Sequence, residues 1–85
     1  MNRERDTKRR KSILTTLAVD GACTVLALRR EMESAHFIAA SGDVIRADLD
    51  WLTELGLIQW NGELAQCTER GRDVAAQRAK FPGEA

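Results

Sequence analysis

Ile13, Leu14, Leu17 and Ala18 recur at the i, i+3, i+4 spacing that gives a helix one apolar stripe. The spacing predicts a first helix that starts among Arg5 to Lys8, runs to about Val19 and is stopped by Asp20-Gly21. Thr24 is placed to cap a second helix, whose Val25, Leu28, Met32 and Ala35 fall on one face, while Arg29, Arg30, Glu31 and Glu33 make a charge-balanced wet face. The next segment, SAHFIAAS, has no clean period, and its Phe37 and Ile38 are expected to plug into the core from a loop or short turn. Ser41, or Asp43 in the first turn, starts a third helix with the wide stripe Val44, Ile45, Leu49, Trp51, Leu52 and Leu55, and Gly56 ends it. Its opposite face shows Asp43, Arg46, Ala47, Asp50, Thr53 and Glu54.

After Gly56 the pattern switches to strand. LIQW and ELAQC flank Asn61-Gly62, a pair suited to the positive φ values of a two-residue type I′ turn. Leu57, Trp60 and Leu64 would let this hairpin cover the core. Thr68 then caps a last helix with Val74, Ala75 and Ala79 inward, ended by Pro82-Gly83. The expected order is helix, helix, helix, strand, strand, helix. That is a mainly α fold with a short β-hairpin, the order of a winged helix-turn-helix. It divides the chain into a basic N-terminal arm over 1–7, the winged-helix domain over 8–81 and a C-terminal tail over 82–85.

Two segments carry a resemblance. VIRADLDWLTELGLIQ is similar to the recognition helix and first wing strand of winged-helix regulators, and TERGRDVAA resembles the segment that follows their wing. With the apolar SILTTLA of the first helix and the run TERGRDVAAQRAKFPG, the chain from about Lys11 to Gly83 resembles small winged-helix proteins of Mu-like transposable phages and prophages, sometimes labelled ArsR-like. The resemblance implies a DNA-binding protein of phage or prophage origin, with a role in transcription regulation or DNA handling. It supplies no assigned site residues. The cysteine-rich motif of metal-sensing ArsR proteins is missing, so metal-responsive regulation is not expected.

Composition narrows the classes further. Eighty-five residues, 44% apolar and 31% charged, describe one small globular domain, of a size that a homodimer partner would help to stabilise. Cys23 and Cys67 lie in separate apolar segments without a C-x-x-C or other ligand cluster, so no metal or cofactor is expected. The lone His36 has no acid or nucleophile beside it in sequence, and no phosphate loop, H-E-x-x-H or G-x-S-x-G is present. No enzyme is expected. No apolar run approaches the roughly 18 residues of a membrane span, and no uncharged signal region follows MNRERDTKRRK. No membrane association is expected, and the expected location is the cytoplasm, that of the bacterial host on the phage reading.

The formal net charge is zero but unevenly spread: residues 1–11 carry net +4, whereas 47–69 hold no Lys or Arg and carry net −5. Two functions compete on that distribution. For double-stranded DNA, Arg46 near the start of the third helix suits a guanine edge, Thr53 shares its face, and Arg5, Lys8, Arg9, Arg10 and Lys11 supply phosphate contacts. Arg70, Arg72, Arg78 and Lys80 add positive charge on the last helix. For a phage or host protein partner, Asp43, Asp50 and Glu54 form an acidic contact face, and the wing tip has Glu63 rather than a cation. Trp51 and Trp60, candidate stacking platforms for single strands, fit core packing better.

Overall fold

The computed structural model describes residues 3–82. Seven elements follow along the chain: α1 (Arg3–Asp20), β1 (Cys23–Thr24), α2 (Val25–Ala35), α3 (Gly42–Glu54), β2 (Ile58–Trp60), β3 (Leu64–Cys67) and α4 (Glu69–Ala75). The architecture is the mainly helical winged helix that the periodicity predicts. β1, absent from the sequence expectation, completes an antiparallel three-stranded sheet in the order β1-β3-β2.

α1 begins at Arg3, so residues 3–7 of the expected arm are its first turns, while residues 1 and 2 lie outside the described segment. Ile13, Leu14 and Leu17 are buried along one side, and Gly21, at φ +85°, closes the helix by donating its N–H to Leu17 O at 3.0 Å. Thr24 caps α2 by accepting from Ala27 N at 3.1 Å. Leu28 and Met32 are fully buried and Val25 packs against them, but Ala35 is exposed.

The α2–α3 connection departs from expectation. Ile38 packs against the core, whereas Phe37 is 90% exposed. The cause is backbone geometry: Phe37 takes a left-handed conformation (φ +57°) and Ile38 N–H donates to Met32 O at 2.8 Å, so the two side chains diverge.

Ser41, not Asp43, caps α3, accepting from Val44 N at 3.2 Å. Ile45, Leu49 and Leu52 are fully buried, Trp51 and Leu55 pack at the core margin, and Val44 lies outside it. Gly56 ends the helix in a Schellman arrangement, with Gly56 N–H donating to Thr53 O (3.0 Å) and Leu57 N–H to Leu52 O (3.1 Å). Leu52 and Leu57 are both buried, which is the apolar contact that accompanies this cap.

Cα pairing of Trp60 with Ala65, and the Asn61 N–H to Leu64 O bond of 3.3 Å, place the two-residue turn at Gly62-Glu63, one residue later than expected. Only Gly62 of the pair has positive φ (+96°), as in a type II′ turn. Asn61 instead uses its side chain, whose Oδ1 accepts from Glu63 N at 2.9 Å and Leu64 N at 3.0 Å. Alternation along β3 then buries Ala65 and Cys67 and turns Leu64 outward, so Leu64 does not cover the core.

The Thr68 hydroxyl accepts from Gly71 N (3.1 Å) as the cap of α4 and donates to Gly56 O (2.7 Å), fastening the return strand to the end of α3. α4 is shorter than expected. Gln77, at φ +62°, reverses the chain; Ala79 is left exposed, and Phe81 folds back to be buried with its ring centroid 5.8 Å from that of Trp51.

At Gly71, α4 lies close against the backbone of Leu57. A Cβ at this position would lie 1.9 Å from Leu57 O and 2.9 Å from Leu57 C. Because the obstacle is backbone, Gly71→Ala is expected to destabilise the fold by about 3 kcal/mol or to prevent folding. Urea denaturation checks this, and an unchanged midpoint would show that α4 does not pack as described.

Candidate nucleic-acid interface

The outward side of α3 exposes Asp43, Arg46, Ala47, Asp50, Thr53 and Glu54 together, as the helical spacing predicts. Arg46, half-exposed, donates from Nη1 to Asp43 Oδ1 at 3.2 Å, an exposed pair one turn apart. Such a pair is weak and solvent-screened, so the guanidinium is easily exchanged to another acceptor. Thr53 Oγ1 donates to Leu49 O at 2.7 Å, which anchors the hydroxyl to its own helix and leaves the oxygen as an acceptor. Asp50 and Glu54 remain on this face in solvent.

The basic cluster does not form one surface. Arg9 is buried, and its guanidinium grips Asp48 of α3 from both sides of the carboxylate: Nε donates to Oδ2 and Nη2 to Oδ1 at 2.9 Å. Asp48 is 1% exposed and also accepts from Arg10 Nε at 2.9 Å. Arg9 Nη2 reaches Asp6 Oδ1 at 3.0 Å. The hydrogen bonds that Arg9 donates to Asp48, reinforced by the charge of that carboxylate and by Asp6, raise the Arg9 pKa above the ordinary arginine value against the opposing effect of burial. Arg10 lies with Cζ 4.3 Å from the Trp51 ring centroid, the distance of a cation–π contact.

Arg9 and Arg10 are therefore committed to the interior and the α1–α3 junction, a correction to their expected role at phosphate. Lys8 and Arg5 are exposed on α1, and Lys11 is exposed with Nζ 5.8 Å from the Phe81 ring centroid. On the C-terminal side, Arg70, Arg72 and Lys80 are exposed, and Arg78 pairs with Asp73 at 2.9 Å. Trp51, held between Arg10 and Phe81, is part of the core margin rather than a stacking platform.

A signal for the buried pair was present in the sequence. Asp48 falls at a three- and four-residue step between Ile45 and Leu52, on the apolar stripe, and Arg9 falls four residues before Ile13 on the stripe of α1. Opposite charges interrupting two apolar stripes mark a buried partnership, because an unpaired charge is not tolerated there.

The remaining chemistry is sparse. No group of three or more His, Cys, Asp or Glu side chains among the described residues is placed to hold a metal ion. Cys23 and Cys67 are buried, and burial raises both thiol pKa values; Asp20 and Glu31 add to the effect at Cys23, while Arg72 opposes it at Cys67. No described helix is long and apolar enough to cross a membrane.

No protein-family model matches the chain, and no curated protein matches it either. Among solved structures, the chain is similar to RosR of H. salinarum, at 25% identity and TM-score 0.74, covering 91% of this chain and 78% of that one. It is also similar to RosR in the hsRosR-S4 complex structure, at 26% identity and TM-score 0.72, covering 89% and 74% respectively. These likenesses support the winged-helix fold derived from the element order and sheet.

Removing one partner of the buried cluster leaves the other charged and unpaired. Asp48→Ala and Arg9→Ala are each expected to cost about 3–5 kcal/mol of stability, and Arg10→Ala, nearer the surface, only about 1 kcal/mol. Denaturation of the three variants tests the ranking; equal small losses for all of them would refute burial of the pair.

Proposed function

We propose that this chain is a DNA-binding winged-helix protein that presents α3 to the major groove of double-stranded DNA. The likeness to RosR, a winged-helix transcription regulator, over nine-tenths of the chain is the observation that carries the reading. Arg46 has the position and exposure that direct readout asks for: it lies on the N-terminal half of α3, and its exposed partner Asp43 is replaceable by the N7 and O6 acceptors of guanine. Thr53 offers a second, weaker polar contact on that face. Lys8, exposed on α1, takes the phosphate role in place of Arg9 and Arg10, with Arg5 and Lys11 adding positive charge on the same helix.

The sequence resemblance to small proteins of Mu-like phages adds a phage or prophage setting and a role in transcription regulation or phage DNA handling. A homodimer, which would place two copies of α3 on paired half-sites, belongs to the same reading. The location that goes with it is the cytoplasm of the bacterial host.

A second reading rests on a specific observation. Asp43, Asp50 and Glu54 are all exposed on α3, and β2, β3 and their turn carry no Lys or Arg, so the same surface suits a basic phage or host protein. Burial of Asp48 against two arginines weakens this alternative by removing one carboxylate from the acidic stretch.

Titration of labelled duplexes, random and phage-derived, at low and moderate salt separates the two. The expected result is binding that weakens steeply with salt, with Arg46→Ala losing about 1–3 kcal/mol of discrimination between sequences. Failure to bind any duplex at low salt would remove the DNA reading and direct attention to partners of the acidic face.

A further inference from the structure

Phe37 combines two unfavourable features. It is a large apolar side chain left 90% in solvent, and its backbone is left-handed, a conformation that glycine or asparagine adopts more easily. The backbone turn serves the core by directing Ile38 inward, but the Phe37 ring that it leaves outside takes no part in that packing. An aromatic ring held outward at a fixed place is the kind of group that contact with a partner covers.

The surroundings specify that partner. Phe37, Ile38 and Ala39 form one wall of an open groove of about 550 Å³ whose other wall is Glu4, Arg5 and Lys8 of α1. One side of the groove is apolar and the other carries two cations and one carboxylate. The groove is also fixed relative to the candidate reading helix: its apolar wall runs directly into the Ser41 cap of α3, and its α1 wall adjoins Arg9, which is clamped to Asp48 of α3. When a helix-turn-helix places its second helix in the major groove, the preceding elements lie against the flanking backbone.

We propose that this groove is a second DNA contact, which holds the sugar-phosphate strand flanking the α3 site. The Lys8 ammonium takes a phosphate, while the Phe37 ring lies against a deoxyribose. A strand of alternating phosphates and apolar sugar faces matches a groove with one cationic and one apolar wall. This contact rests on the DNA-binding reading above and supplies the electrostatic support that the cation-free wing lacks.

The test compares the full chain with Phe37→Asn, Lys8→Ala and Val19→Ser in titrations of random and phage-derived duplexes across a salt series. Asparagine tolerates the left-handed backbone, so Phe37→Asn is expected to keep or raise the melting temperature while weakening DNA binding about tenfold. Lys8→Ala is expected to weaken all sequences alike and reduce the salt slope by about one. Val19→Ser, which removes another exposed apolar side chain near the opposite end of α1, is expected to change neither. If the unaltered protein binds and the Phe37 and Lys8 variants bind equally well, the groove contact is overturned while the DNA reading stands. If the unaltered protein binds no duplex at low salt, both are overturned.

Discussion

The Arg9–Asp48 pair sets the relation between the first helix and the helix that would read DNA. Two charges are withdrawn from water at the α1–α3 contact, and their mutual attraction, with the added bonds from Arg10 and Asp6, offsets that desolvation only in one geometry. Apolar side chains at the same positions would pack in several neighbouring registers, because burial is nearly indifferent to small rotations. A two-toothed grip by a planar guanidinium is not indifferent: it fixes both the rotation of α3 about its axis and its depth against α1. The buried stripe of Ile45, Leu49 and Leu52 sets which side of α3 faces outward, with Arg46, Asp50 and Glu54 upon it, and Asp48 in the grip lies on the inward side.

A second node fixes the wing to the same helix. The left-handed Gly56 ends α3, Leu57 packs back onto Leu52, and the Thr68 hydroxyl ties Gly56 O to the start of α4. β2 and β3 thus leave and return at one point, with Gly71 allowing α4 to lie against the Leu57 carbonyl. α3 and the hairpin are consequently joined into one frame.

This arrangement changes the electrostatic account. Sequence totals oppose a basic N-terminal segment to an acidic stretch across 47–69, as though the molecule had a positive and a negative end. In the fold these segments meet, and part of each charge is consumed where they touch: Asp48 is neutralised by two arginines, one of which also lies over Trp51. What is left in solvent is a smaller set of cations on α1, an Arg46–Asp43 pair that exchanges readily, and the carboxylates of Asp50 and Glu54. The balance between nucleic acid and a basic protein partner is decided by that remainder.

The sequence by itself determined the elements and most of their ends. Helical spacing marked α1, α2 and α3; Thr24, Ser41 and Thr68 marked three caps, and Gly56 a stop, because these are local properties of a few neighbouring residues. Local patterning also located the hairpin, though not its turn, since Asn61-Gly62 and Gly62-Glu63 differ by one residue and the choice depends on pairing along β3. Tertiary structure alone decided the two-residue β1, which exists only because β3 is there to pair with it, and the return of Phe81 onto Trp51. It also decided which charges are spent: the partners Arg9 and Asp48 are thirty-nine positions apart, and no local period links them. Their positions on two apolar stripes hinted at a buried pair, but only the packing of α1 and α3 on the α2 they share brings one charge to the other.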